Sequence, residues 1–246
     1  MSELRVLPVE GIPEVRDGDA IGEQIAERTE LKNGDVVVIS QKIVSKAEGQ
    51  VRKLSEVEPS ERACELAEKL GKEAGLVELV LSQSREILRT ERVLITETHH
   101  GFVCANAGID ASNLPDDGTV CLLPEDPDAS ARRIRKELTA TAEEPGARAT
   151  GPSPPLSAGA HPRLPPAVVI ADSFGRAWRL GQSEVAIGCA GLRPLDDWRG
   201  RADAGGRELS ATAIAIADQV AAAADLVRSK DEGVPAAVVR GLGRYV

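Results

Sequence analysis

The sequence predicts a mixed α/β fold of the α+β kind, on three observations. Apolar runs at 36–39 and 167–171 are short, unbroken and rich in valine and isoleucine, as strands buried on both faces require. Longer segments at 129–139 and 208–227 carry apolar residues at helical spacing. Glycine and proline turns punctuate these segments, and no internal repeat orders them.

Taken in order, residues 4–9 read as a first strand, which runs into the turn Glu10-Gly11-Ile12-Pro13-Glu14-Val15. Asp19 is placed to cap a helix over 20–28, and a strand at 35–40 follows the Asn33-Gly34 turn. Pro59-Ser60-Glu61 opens a helix that Gly71 closes; a further helix over 75–85 leads to a strand at 92–96. After a strand at 119–123, Asp128 is expected to cap the helix 129–139. Residues 143–166 hold seven of the fifteen prolines among Gly, Ser and Ala, so they read as a flexible insertion within one 1–246 unit. The strand 167–171 follows. A long alanine-rich C-terminal helix is expected over 208–227, with apolar residues at 209, 213, 216, 220, 224 and 227 suited to close packing within the protomer or across a dimer. A last strand occupies 234–239.

Net charge is -9 and the 30 basic residues are scattered, so the footprint of a nucleic-acid or anionic-membrane binder is missing; neither partner is expected. No run reaches the roughly 18 apolar residues of a membrane span. The start Met-Ser-Glu-Leu-Arg-Val lacks a signal peptide's apolar stretch, so the expected location is the cytoplasm. The four cysteines form no Cys-x-x-Cys pair, which argues against structural zinc or a disulfide framework. Walker, dinucleotide-fingerprint and nucleophile-elbow motifs are all missing.

The unusual chemistry concentrates in residues 166–200. Asp172 and Ser173 stand where the strand 167–171 ends, followed by Gly175, Arg176 and Arg179. Phe174, Trp178 and Trp198 fall in the same stretch of a chain with 2% aromatics, so they are expected to surround one site. Asp172 either caps the turn or presents a carboxylate beside the Ser173 hydroxyl. Residues 105–113 are a second polar concentration: Asp110, Ser112 and Asn113 either build Asx turns or form a loop whose small residues let backbone approach a ligand. Lys46, near Gly49, is either a solvated lysine or a point charge for a phosphate. His99 and His100 have no partner at a zincin spacing and read as an exposed turn pair. Two aspartates, a hydroxyl, an amide and a lysine are the donor set of a hard divalent cation and a phosphate.

Five motifs in order carry a family resemblance: 8–14 (Pro-Val-Glu-Gly-Ile-Pro-Glu), 44–49 (Val-Ser-Lys-Ala-Glu-Gly), 106–113 (Asn-Ala-Gly-Ile-Asp-Ala-Ser-Asn), 172–182 (Asp-Ser-Phe-Gly-Arg-Ala-Trp-Arg-Leu-Gly-Gln) and 233–241 (Gly-Val-Pro-Ala-Ala-Val-Val-Arg-Gly). Together they resemble the coenzyme F420-0:L-glutamate ligase (gamma-glutamyl ligase) family. The resemblance implies a family-specific mixed α/β ligase fold, usually dimeric. It implies a GTP-dependent enzyme that adds L-glutamate to coenzyme F420-0 through an acyl phosphate and extends a gamma-linked tail. Asp110, Asp172 and Ser173 would hold the metals, Mg2+ or Mn2+ and two ions, with K+ as a further candidate. Asp110, Asp172 and Lys46 would carry catalysis. Ile12, Pro13, Glu14, Val15, Gln41, Lys46 and Asn113 would contact the nucleotide, and the turn holding Ser229, Lys230 and Asp231 would close over it. Three positions depart from the pattern: Gln41 where relatives often have Ser, Lys230 where some offer an acidic ligand, and Ala204-Gly205 in place of an aromatic-containing pair. Some relatives continue into a nitroreductase-like domain, which this sequence does not contain. A metal-dependent nucleotide phosphohydrolase and a non-catalytic nucleotide-binding relative are the alternative readings.

Overall fold

A computed structural model describes residues 3–112, 114, 116, 118–142 and 165–246, the side chains of 141 and 142 excepted. Asn113 and the insertion, up to residue 164, lie outside the described residues. The elements run β1 (Arg5–Val9), α1 (Ile21–Ala26), β2 (Val36–Ser40), α2 (Gln41–Ala47), β3 (Val51–Lys53), α3 (Glu61–Leu70), α4 (Ala74–Ser82), β4 (Ser84–Arg89), β5 (Ile95–Thr98), β6 (Val103–Ala105), β7 (Thr119–Cys121), α5 (Pro127–Ala142), β8 (Ala167–Gly175), β9 (Gln182–Ala190), β10 (Leu195–Asp197), β11 (Ala213–Ala215), α6 (Ile216–Asp225) and β12 (Ala236–Arg240).

The central sheet has the order β1-β12-β2-β8-β9; β2 and β8 are parallel and the other neighbours antiparallel. Strand alternation divides β2 between two layers. Val37 and Ile39 pack with Ile21, Ile25, Val44, Ile134 and Leu138 of α1, α2 and α5, whereas Val36 and Val38 pack with Ile216, Val220, Ala221 and Ala224 of α6. All four strand residues are fully buried, each contributing about 1.5–3 kcal/mol, which explains a run without polar interruption. A second core gathers Leu54, Ala63, Val77, Val80, Leu94, Ile109 and Leu122 where α3 and α4 meet the β4-β5-β6 and β3-β7 sheets. The mixed α/β class is therefore as expected.

α3 begins and ends as the sequence indicates: Ser60 Oγ accepts from the Ala63 N–H at 3.3 Å, and Gly71 turns the chain with φ 62°. Other elements differ. α4 stops at Ser82, residues 84–89 pair as β4, and the expected strand at 92–96 starts later, at Ile95, after a turn in which Arg92 is left-handed with φ 63°. α5 begins at Pro127, and Asp126 rather than Asp128 accepts from the Ala129 N–H at 2.8 Å; Asp128 instead accepts from the Cys189 N–H. The C-terminal helix spans only Ile216–Asp225. Residues 209–215 are held extended against 195–201, through Leu209 N–H to Arg201 O and Trp198 N–H to Thr212 O, both 2.9 Å. Leu209 and Ala213 thus belong to a hairpin-like ribbon, and the helical spacing that includes them is fortuitous. Among the described residues no helix is long and apolar enough to cross a membrane.

Candidate functional site

β8 does not end at Ala171. Residues 167–171 pair with β2 on one side, but β8 continues with β9 alone to Gly175, so Asp172 and Ser173 sit in a strand just beyond the end of β2. Opposite Ile170 and Ala171 the partner strand β9 carries one extra residue, Ile187; such a bulge bends the strand that holds it and re-aims its side chains. The chain leaving β2 passes directly into α2. The two carboxyl ends of the parallel pair therefore open on one cleft, as expected at the C-terminal edge of parallel strands.

The cleft has a volume of about 810 Å³. Its walls hold Ile12, Pro13, Glu14, Val15, Gln41, Lys46, Asp110, Asp172, Ser173, Ser229, Lys230 and Asp231, so every expected site residue that is described lines it. These residues come from distant parts of the sequence. α2 supplies Lys42 and Lys46, four apart and so on one helix face; this short helix is not among the expected elements. Lys46 Nζ lies 2.6 Å from Glu14 Oε1, which ties α2 to the 12–15 segment. Gln41 is buried, and its Oε1 accepts from Ser45 Oγ at 2.9 Å.

A tight turn at Asn106–Gly108 delivers Asp110. Asn106 and Ala107 are left-handed with φ 49° and 53°, a strained state for non-glycine residues. Gly108 is required there, because a Cβ would meet Leu123 at 2.8 Å. Asp110 then bridges Cys121 through two backbone hydrogen bonds. Its carboxylate accepts from Ser112 N–H at 2.7 Å and Ser112 Oγ at 3.0 Å, and stands 2.8 Å from Lys42 Nζ. Burial pushes the Asp110 pKa up, but these bonds and the Lys42 charge outweigh it and hold the carboxyl below its usual range. Asp172 behaves oppositely: burial, followed by the charges of Glu184 and Asp110, raises its pKa to about 7 despite a backbone hydrogen bond from Ser173. Cys104 is pushed up to about 12 by burial and by the Asp172 charge, so its thiol stays protonated.

Two further charged residues reach the cleft. Ser173 Oγ donates to Glu184 Oε1, and Glu184 Oε2 lies 3.1 Å from Arg228 Nη2. Nothing in the motifs points to Glu184; the signal for β9 is Gly181 followed by Val185, Ile187 and Cys189 alternating with small residues, a hairpin pattern. Lys42 was legible only from its helical spacing to Lys46. The aromatic cluster is corrected: Phe174 lines the cleft, but Trp178 is fully exposed and Trp198 donates to Asp196 at 2.9 Å in the 195–215 ribbon. His99 and His100 are scaffold, with ring nitrogens 3.0 Å from Ser82 O and 2.9 Å from Pro124 O.

Among the described residues no three His, Cys, Asp or Glu side chains gather closely enough to hold a metal ion by themselves. The donor chemistry nevertheless fits Mg2+ or Mn2+, which keep waters and bind through one or two carboxylates completed by substrate phosphates. Asp172 is half-buried and feels the negative charges of Glu184 and Asp110, which a cation would offset.

Known proteins resemble this chain over nearly its whole length. The family described as F420-0:Gamma-glutamyl ligase matches residues 11–145 and 162–241. A protein named coenzyme F420:L-glutamate ligase from Methanothermobacter thermautotrophicus is 44% identical over 245 residues, covering 97% of this chain and 89% of its own. Those of the same name from Methanopyrus kandleri and Archaeoglobus fulgidus are 44% and 41% identical, each covering 97% of this chain and 87% and 88% of their own. Both matched blocks of the family contain cleft residues, Asp110 in one and Asp172 in the other, and the chain belongs to the F420-0:gamma-glutamyl ligase family and is an enzyme of the ligase class.

Proposed function

We propose that the protein is a GTP-dependent ligase that joins L-glutamate to coenzyme F420-0 and extends a gamma-linked oligoglutamate tail. The observation that carries this reading is the convergence of Asp110, Asp172, Ser173 and Lys46 on one cleft, in a chain of this family. In the first step a carboxylate oxygen of the acceptor bonds to the γ-phosphorus of GTP as the bond to the β,γ-bridging oxygen breaks, and GDP leaves with that electron pair. In the second, the neutral amine of glutamate attacks the acyl carbon, the carbon–oxygen bond to phosphate breaks, and the surplus proton leaves the nitrogen. Repetition on the product's terminal carboxylate extends the tail.

Asp110, Asp172 and Ser173 would hold Mg2+ or Mn2+, two ions, with K+ as a further candidate. When bound, these ions neutralise charge on the transferring phosphoryl group. Lys46 supplies a fixed positive charge for the nucleotide phosphates, and its pairing with Glu14 keeps it pointed into the cleft beside the 12–15 backbone. Asn113, Ser229, Lys230 and Asp231 complete the nucleotide's surroundings in this reading. Much of the catalysis is positioning and electrostatics. The working unit is read as a homodimer in the cytoplasm.

The test is mass spectrometry of the purified protein with GTP, Mn2+ or Mg2+, L-glutamate and coenzyme F420-0. Mass increments of one or more glutamyl residues, only with all components present, support the ligase. Phosphate release from GTP that ignores glutamate and acceptor would overturn it in favour of a phosphohydrolase.

A further inference from the structure

Glu184 has no role among the motifs of the sequence, yet it lines the cleft. It lies in β9 directly opposite Ser173 of β8, so strand pairing sets its carboxylate beside the Ser173 hydroxyl. Ser173 Oγ donates to Oε1, while Oε2 lies 3.1 Å from Arg228 Nη2, with the Arg228 and Glu184 side chains only 5% and 8% exposed. Arg228 Nη1 also donates to Pro235 O at 3.3 Å. Burying a charged pair carries a desolvation cost that an apolar pair of the same volume would avoid while still bracing the strands. The charge therefore calls for a reason beyond packing.

A hydroxyl has one proton and two acceptor lone pairs. With its proton committed to Glu184, Ser173 turns only lone pairs to the cleft. We propose that Glu184, balanced by Arg228, is a positioning residue that fixes Ser173 as an acceptor-only oxygen ligand for a hard divalent cation. Arg228, through Pro235, ties the same bond to the base of the 229–234 turn. This rests on the metal-dependent reading above and adds to it a residue that orients the ligand.

The test is Mn2+ binding in the presence of a non-hydrolysable GTP analogue, followed by loss of the free-ion EPR signal, with thermal melts as a check on folding. Glu184→Ala and Ser173→Ala are each expected to weaken Mn2+ binding about tenfold. The Glu184→Ala/Ser173→Ala double variant should be no weaker than Ser173→Ala alone, since the first residue acts through the second. Glu184→Ala/Arg228→Met leaves no unpaired buried charge, so it should fold and show the same tenfold loss. Affinity within about twofold of wild type in that variant, or losses that multiply in the first double variant, overturn the proposal. Should the wild-type protein itself take up no Mn2+ with the analogue, the metal reading falls and this inference with it. Wild-type binding with unchanged variants removes the inference alone.

Discussion

Replacing Asp172 by Asn should make the metal-free protein more stable at neutral pH and leave it inactive. The folded-state pKa of Asp172 is raised from 3.8 to about 7, chiefly by burial and then by the charges of Glu184 and Asp110. The folded protein therefore binds a proton that the unfolded chain has already released, and stability falls as pH rises between about 4 and 7. At about 1.36 kcal/mol for each pKa unit, the full effect is about 4 kcal/mol. That value is a ceiling, because Asp172 keeps partial solvent contact in the cleft. Asp110 contributes with the opposite sign but in another window: its lowered pKa gives stability that is lost only as pH falls below about 4. Urea denaturation in EDTA at pH 5 and pH 8 separates the two. Wild type should lose a few kcal/mol between these points, while Asp172→Asn loses much less and overtakes it at pH 8. Metal-dependent turnover should vanish in the variant although its fold survives. Parallel pH profiles for the two proteins, or retained turnover, would refute the placement of Asp172 as a half-buried, ion-demanding carboxylate.

Three other substitutions probe the rest of the frame. Lys46→Met keeps the packing of the lysine stem and removes its charge; GTP binding measured by calorimetry should weaken about 10- to 100-fold. Unchanged GTP affinity would exclude a phosphate contact. Gly188→Ala places a Cβ against the Pro127 backbone at the α5–β9 contact, and an equilibrium urea unfolding curve should show a loss of about 1–3 kcal/mol. Trp178→Ala should leave the melting curve within about 0.5 kcal/mol of wild type, since the indole is fully exposed; a larger loss would mean the β8–β9 tip is packed in solution.

Much of this molecule was legible in the chain, for local reasons. The Val36–Ile39 and 167–171 runs announce doubly covered strands because a strand with helices on both faces has no side on which a polar residue meets water. Ser60 and Gly71 mark α3 because capping and left-handed turns are settled by neighbours a few residues away. Asp110, Asp172, Ser173 and Lys46 stand out by residue type and motif, and all four reach the cleft. Other features depended on partners remote in sequence. Extended pairing of 209–215 with 195–201 overrode a helical spacing that alanine satisfies in almost any register. β8 continues past Ala171 because β9 pairs with it there, which turns Asp172 and Ser173 from turn residues into strand residues. Lys42 on Asp110, and Glu184 between Ser173 and Arg228, are separated by 68, 11 and 44 positions in the chain, and only packing brings them within bonding distance. The opposite shifts of Asp110 and Asp172 arise in the same way, since a carboxylate's proton affinity is set by the charges and solvent that the fold places around it.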